Sequence, residues 1–260
     1  MSAVVVRLDE GLRLAGGLLA AGEWPEREQR QKPYRPHRLA EAARRALAGQ
    51  QAHPAVAAAQ SLEPAELMAH ALAGDWPAPL AGQVADFAAG PEVTQFFADC
   101  EPEWRAACAD LEAVLARGDL AGFLAELFGA LDRALVVYPN LLYPGRQALA
   151  LGVDSELVLS QPPPPAWGAS PPWHYNERPD EVLGAVAEGL ARPLFEQAQA
   201  SEPAALALAA AVVFVRRVEG AEAADQLLLM EKKARRLPQL PALVEALLAG
   251  QRFGAGPGVG

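Results

Sequence analysis

The densest group of side chains that could do chemistry is the run Trp173-His174-Tyr175-Asn176-Glu177. An imidazole and a carboxylate three residues apart can act as general base and general acid on a small substrate. The aromatic rings of Trp173 and Tyr175 can cover such a substrate or bind a partner. The same run also fits a structural role, in which the rings fold over the following helix and the acids that follow complement its dipole. The sequence leaves both interpretations open.

Glu188 is the second candidate for acid–base chemistry. It lies in a predicted helix over residues 179–200, whose apolar stripe consists of Val182, Leu183, Val186, Leu190 and Leu194. At about 100° per residue, Glu188 flanks this stripe or faces away from it, as a solvated surface carboxylate does. A hydrolase that uses His174, Glu177 and Glu188 together requires the loop around His174 to fold back over this helix.

Motifs for cofactor and metal chemistry are missing from the sequence. It contains no glycine-rich phosphate loop, no nucleophile elbow, no CxxC pair and no HExxH. The four histidines are far apart, and no two have the i,i+4 spacing that turns both imidazoles towards one metal. They are His37, His53, His70 and His174. We therefore expect no cofactor and no metal site.

The composition excludes several classes of protein. The 260 residues are 52% hydrophobic, which suffices for a folded core, and the formal net charge is −10. An excess of acids argues against a nucleic-acid partner, because binding a phosphate backbone depends on Lys and Arg. The longest apolar run, residues 204–215, has 12 residues. Since a membrane span needs about 20, this run predicts a buried helix and no membrane partner.

The cysteines and the first residues predict a cytoplasmic location. Cys100 and Cys108 are eight residues apart in a predicted helix, which separates them by about 12 Å. A disulfide needs Cα atoms within about 7 Å, so both are expected to be free thiols. The first residues lack the basic segment and the long apolar segment of a signal peptide, because Asp9 and Glu10 follow at once.

Hydrophobic spacing predicts a single α-rich α+β domain over residues 1–252. Residues 1–133 are mainly helical after a short strand at 3–8, and a small antiparallel sheet follows over residues 134–160. Its strands are separated by proline and glycine turns and cover residues 134–138, 147–151 and 156–160. Residues 161–252 begin with an extended loop that exposes Trp167 and Trp173, and then continue as helices. The tail, 253–260, is expected to be disordered.

The order of these parts resembles a bacterial family of HExxH zinc metallopeptidases, of the gluzincin-like class, which is known mostly as domains of unknown function. That family opens with a strand and a leucine-rich helix that contains an RLAG phrase, matched here by Arg13-Leu14-Ala15-Gly16 and followed by Trp24. A polar connection with a tyrosine and an HPAV segment come next. They are matched by Tyr34 and by His53-Pro54-Ala55-Val56. The resemblance implies a zincin-like arrangement of helices around the small sheet.

The metal helix of that family is the place where this chain departs from it. Ala187 and Ala191 stand where the family has its two histidines, while Glu188 keeps the place of the catalytic glutamate. Pro193 follows only two residues beyond the second of these positions, where the family has a proline five residues beyond. Glu202 is the nearest counterpart of the glutamate ligand on the family's next helix. An alanine cannot bind zinc, so two of three protein ligands are missing.

The resemblance therefore implies a non-catalytic, metallopeptidase-like protein that binds a protein or peptide partner in the cleft such a fold retains. The residues expected to line that cleft are Trp167, Trp173, His174, Tyr175 and Glu202. Two alternatives stay open. One is a hydrolase with a zinc-free acid–base site at His174, Glu177 and Glu188, and the other is an α-rich scaffold protein unrelated to peptidases.

Overall fold

Four short strands form a mixed sheet in the order β1-β2-β4-β3. The computed structural model describes residues 4–31, 34–142, 145, 148–153, 156–167, 170 and 172–253. Strand β1 covers Val4–Val6, β2 Ala134–Pro139, β3 Leu149–Val153 and β4 Glu156–Gln161. Strands β1 and β4 run parallel to β2, and only β3 is antiparallel to its neighbour. The predicted strands are therefore present.

The prediction of an antiparallel sheet is wrong, and the connections explain why. Only two residues separate β3 from β4, which suits an antiparallel hairpin. Along the described part of the chain, eight of the twelve α-helices separate β1 from β2, and residues 140–155, which include β3, separate β2 from β4. Both connections are long enough to allow parallel pairing. Residues 135–139 and 157–161 are all buried, as expected for central strands that are covered on both faces.

Twelve α-helices surround the sheet in the described part of the chain. Those before the sheet are α1 Glu10–Ala21, α2 Trp24–Gln31, α3 Arg38–Ala46, α4 Pro54–Ala59, α5 Pro64–Ala73, α6 Leu80–Ala89, α7 Pro91–Leu115 and α8 Leu120–Phe128. Those after it are α9 Pro179–Gln197, α10 Pro203–Val218, α11 Ala221–Arg235 and α12 Leu240–Leu248. Short 3-10 helices cover Ala48–Gln50 and Tyr175–Glu177.

Two of these helices differ from what proline and polar residues predicted. Helix α2 occupies most of the stretch that reads as a polar connection, because residues of that stretch have high helix propensity. Helix α7 continues through Pro102, although a proline inside a helix removes one backbone hydrogen bond and commonly kinks or ends the helix. Cys100 and Cys108 lie on this one helix and are free, as predicted.

Helix α10 is buried on all its faces, as its composition predicts. Residues 205–215 are buried without exception, and eight of the eleven are alanine or valine. Such small side chains let the neighbouring helices approach closely. Helices α9, α11 and α12 all pack against α10, and α9 also contacts β4. The sheet and the C-terminal helices thus share one core.

Two further sequence expectations concern the C-terminal tail and the membrane. Residues 254–260, most of the tail expected to be disordered, lie outside the described residues. Phe253 is described, and its ring packs edge-on against Phe195 at 4.8 Å between centroids. No helix of the described residues combines the length and the apolar character needed to cross a membrane.

Replacement of Phe214 by alanine is expected to lower the free energy of unfolding by about 3–5 kcal/mol, because the ring is fully buried. Its ring centroid lies 5.3 Å from that of Phe123, so removal of the ring would leave a cavity between packed side chains. Urea unfolding measures the loss, with Leu248→Ala as control because Leu248 is 42% exposed. A loss below about 1 kcal/mol for Phe214→Ala would contradict the central position of α10.

Candidate functional site

The connections that follow β2 and β4 meet at one edge of the sheet. Because these strands are parallel and adjacent, their carboxyl ends lie side by side, with Asn140 following one and Pro162 the other. The space outside the carboxyl ends of parallel strands is where open α/β sheets bind ligands. The sequence-predicted loop with Trp167 and Trp173 starts from this edge.

A buried polar network fixes the start of both connections. The Tyr175 hydroxyl donates to the Gln161 carbonyl at 2.5 Å and accepts from the Asn140 backbone N–H at 3.1 Å. The Asn140 amide also donates to the Ser160 hydroxyl at 2.9 Å. All four residues are at least 95% buried. Tyr175, predicted as a binding residue, is therefore an anchor of the loop.

Two neighbouring shallow pockets lie above this network. The first has a cavity volume of about 40 Å³ and is lined by His37, Arg38, Glu103, Ala106, Ala107, Leu141, Pro163, His174 and Tyr175. The second, of about 10 Å³, is lined by Tyr34, Arg35, Pro36, His37, Gly145 and residues 162–165. His37 and Pro163 belong to both pockets, so the two are parts of one depression. We call it the loop cleft and define it by residues 34–38, 162–167 and 172–177.

Backbone hydrogen bonds hold the two sides of the loop cleft together. The Arg35 N–H donates to the Ala166 carbonyl at 2.8 Å, and the Ala166 N–H donates back at 3.4 Å. Beside this bridge, the rings of Tyr34 and Trp167 are 6.1 Å apart between centroids. Trp167 is 41% exposed, as predicted, whereas Trp173, which was also predicted to be exposed, is partly buried. Ala166, in contrast, is fully buried.

His37 and His174 face each other across the first pocket. Their ring centroids are 5.9 Å apart in an edge-to-face arrangement. Nδ1 of His37 accepts from the Leu39 backbone N–H at 3.2 Å and so caps the N-terminus of α3. Burial, followed by the charges of His174 and Arg38, lowers the pKa of His37 from 6.5 to about 4. The imidazole is thus neutral near pH 7 and is a weak base.

His174 and Glu177 are close together, but the hydrogen bond between them stabilises a turn. A Glu177 carboxylate oxygen accepts from the His174 backbone N–H at 2.6 Å, at the start of the 3-10 helix. The Asn176 amide donates to Asp110 of α7 at 2.7 Å, which ties this turn to the helix. The Arg178 guanidinium lies 5.5 Å from the ring centroid of Trp173. These contacts correspond to the structural interpretation of the Trp173 to Glu177 run.

Glu188 has a different partner and does not join His174 and Glu177. Both of its carboxylate oxygens accept from the Arg235 guanidinium of α11, one of them at 2.9 Å. Its side chain is only 18% exposed, so the predicted solvated surface carboxylate is in fact a half-buried ion-pair partner. No hydrogen bond links it to His174 or Glu177, although the structure describes all three residues. The acid–base trio is therefore not assembled.

The remaining positions singled out by the resemblance lie outside the loop cleft. Ala187 and Ala191 are 0% exposed, so no cleft opens at the face of α9 where the family has its metal. The expected cleft beside that face is filled by core packing. Glu202 precedes α10 with a φ of 57° and accepts from the Gln239 amide at 3.0 Å. Among the described residues, no three His, Cys, Asp or Glu side chains converge as metal ligands would.

The sequence interpretation missed one side of the loop cleft. Residues 34–38 read Tyr-Arg-Pro-His-Arg, and they were assigned to a polar connection and the start of a helix. The signal was present, because an aromatic residue, two arginines and a histidine stand together in a chain with a net charge of −10. Nothing local indicated that this stretch meets residues 162–167.

Acidification is expected to destabilise the protein through His37. Its pKa is lower in the folded than in the unfolded chain, so the unfolded state binds more protons between about pH 6.5 and pH 4. The stability that the neutral imidazole of His37 contributes is complete above pH 6.5. It is lost as the pH falls through that range, and the free energy of unfolding then decreases by at most about 3 kcal/mol. The variant His37→Asn keeps a capping acceptor but does not titrate, so its unfolding free energy should fall less.

Urea unfolding at a series of pH values from 7 to 4 measures this difference. His53 caps α4 in the same way, with Nδ1 accepting from the Ala55 N–H at 3.2 Å. His53→Asn therefore gives the cost of exchanging a capping histidine for asparagine outside the loop cleft. Equal slopes for the wild type and His37→Asn would show that His37 does not titrate as described.

Comparisons of the chain with models of protein families, with curated proteins and with solved structures gave no match. The resemblance to HExxH peptidases therefore stays a prediction from the residues quoted for it. What the site can do follows from its geometry: it is a shallow, partly aromatic depression with the neutral imidazole of His37 and an arginine at its rim.

Proposed function

We propose that the chain is a non-catalytic binding protein, and that the loop cleft holds an extended segment of a protein or peptide partner. The observation that carries this proposal is the meeting of residues 34–38 with residues 162–167 through the Arg35–Ala166 backbone bridge. Two separate connections are joined there into one continuous depression at the carboxyl edge of the sheet. A shallow depression that extends over two adjoining pockets suits an extended chain segment better than a compact small molecule.

The lining of the loop cleft indicates what such a segment contains. The partly exposed Pro163 and Pro165 and the ring of Trp167 offer apolar surface at a small cost in conformational entropy. Arg38 is already paired with Glu103 at 2.7 Å, but Arg35 is exposed and makes no ion pair with any described residue. A segment with an acidic side chain near an apolar one would satisfy both parts of this surface.

The same geometry disfavours catalysis. A general base needs a pKa near the working pH, and that of His37 is far below it. Glu188 is held by Arg235, and the loop of His174 does not reach it. Glu188 is therefore neither free nor close to His174. No observation supports the acid–base hydrolase.

A distant relation to the HExxH peptidases is part of the proposal. It is supported by the order of the elements and by the place of α9, which carries Glu188 and packs on strand β4. In this proposal the zincin-like metal position has been converted into core by Ala187 and Ala191. The free thiols of Cys100 and Cys108 support a cytoplasmic location, because disulfides are rare there.

Peptide selection tests the binding function. A phage-displayed library of random peptides is panned against the immobilised full chain, and one enriched sequence is synthesised and titrated by calorimetry. We expect one peptide per chain, with an affinity at least about tenfold weaker for Trp167→Ala and for Arg35→Glu, since each removes one part of the binding surface.

Arg216→Glu is the matched control, because Arg216 is an exposed arginine on α10 outside the loop cleft. It should leave the affinity unchanged. Panning that enriches no common sequence, or peptides that bind Arg35→Glu and Trp167→Ala as well as the wild type, would reject the loop cleft as a peptide site and favour a scaffold.

Purified protein is expected to contain less than one zinc per chain and to cleave no peptide. The reason is the number of ligands, since a catalytic zinc site needs three protein ligands, and residues 187–191, which correspond to the HExxH motif in the resemblance, offer only Glu188. Plasma emission spectroscopy after dialysis without chelator measures the metal. One zinc per chain, with peptidase activity that Glu188→Gln abolishes, would contradict the proposal.

Restoring histidine at Ala187 and Ala191 should not create a metal site. Both positions are fully buried, so the larger side chains would overpack the core and cost about 1–3 kcal/mol or more. A stable double variant that binds zinc would show instead that a metal cleft can still open at this face.

A further inference from the structure

The outward face of α11 carries the two most exposed large apolar side chains of the described residues. Leu229 is 67% exposed and Met230 is 52% exposed. The inner face of the helix is covered only in part, and Ala224 is its one fully buried residue. Isolated apolar residues on a surface are common, so the exposure alone decides nothing. The charges around Leu229 are what make this face specific.

The charged residues on this face are ordered along the helix axis. At about 100° per residue, the side chains within about 60° of Leu229 are all polar or charged. Within the helix they are Glu222, Asp225 and Gln226 before Leu229, and Lys232 and Lys233 after it. The face is therefore acidic at its beginning, apolar at its middle and basic at its end. None of these four charged side chains forms an ion pair with another described residue.

This order is complementary to itself when the helix is reversed. Asp225 lies four residues before Leu229 and Lys233 four residues after it, each about 6 Å from Leu229 along the axis. On an antiparallel copy centred at Leu229, Asp225 of one helix meets Lys233 of the other at the same height.

We propose that α11 is the contact surface of a homodimer, in which two copies of the chain pair their α11 helices antiparallel around a twofold axis at Leu229. The two Leu229 side chains meet at the axis, and Asp225 of each protomer faces Lys233 of its partner. Such an interface is isologous, so every charge pair occurs twice. An acidic or a basic partner would satisfy only one end of the face, whereas a second copy satisfies both.

The size of the surface predicts a reversible dimer. Helix α11 has 15 residues and is about 22 Å long. One helix face of this length buries less than the roughly 1,200 Å² at which standard stable interfaces begin. The dimer fraction should therefore depend on protein concentration.

Sedimentation velocity of the full chain over a range of concentrations tests the dimer. We expect a monomer–dimer equilibrium for the wild type and a dissociation constant at least about tenfold higher for Leu229→Asp. Leu248→Asp makes the same chemical change at an exposed leucine of α12 and should match the wild type. A wild type that stays monomeric up to about 1 mM, or dimers that Leu229→Asp leaves intact, would overturn the proposal.

A charge exchange tests the antiparallel register. Asp225→Lys and Lys233→Asp each place like charges opposite each other twice, so each single variant should weaken the dimer. The double variant Asp225→Lys/Lys233→Asp restores opposite charges and should dimerise like the wild type. Both positions, Asp225 and Lys233, are exposed, and circular dichroism checks that the fold is retained. Failure of the double variant to recover would show that the register centred at Leu229 is wrong.

Discussion

The structure depends on the burial of α10, a helix without a polar face. A helix that is apolar all round has to be covered on every side, and in this chain the cover is protein: α9, α11, α12 and parts of the N-terminal half. Because the α10 side chains are mostly alanine and valine, α9 approaches it closely and lies between α10 and strand β4. The positions of Ala187 and Ala191 follow from this arrangement. A side chain larger than alanine at either place would push α9 away from its neighbours.

The consequence for the site is a separation of roles. The buried helices and the central strands form a rigid support, and the polar residues near the carboxyl edge of the sheet connect it to the loops. Tyr175 links both sides, since its hydroxyl bonds Asn140 after β2 and Gln161 at the end of β4. Loops that start from such fixed points can differ in sequence while the fold stays the same. The loop cleft is therefore positioned by the core without being part of it.

The sequence predicts the elements better than it predicts how they meet. The strand at residues 134–138 and the helix at 203–218 were recognisable, because prolines, glycines and apolar spacing are local signals. The direction of the strands was not recognisable, because it depends on the paths of the connections, which the hydrophobic pattern does not specify. The same holds for His37 and His174, which are remote in sequence and 5.9 Å apart in space. Glu188 illustrates both sides: its place beside the apolar stripe was predictable, and its partner Arg235 on another helix was not.

The pairing of β1 with β2 has a consequence for how the chain acquires its structure. Val4 is the partner of Leu135, so most of the helices are synthesised before β1 can form its hydrogen bonds with β2. The helices in between can form early from near neighbours, whereas closing a loop of about 130 residues is slow and entropically costly. The sheet is thus completed late. Until then, β1 can pair with other chains on both of its sides, whereas in the finished sheet it is an edge strand with one side paired to β2.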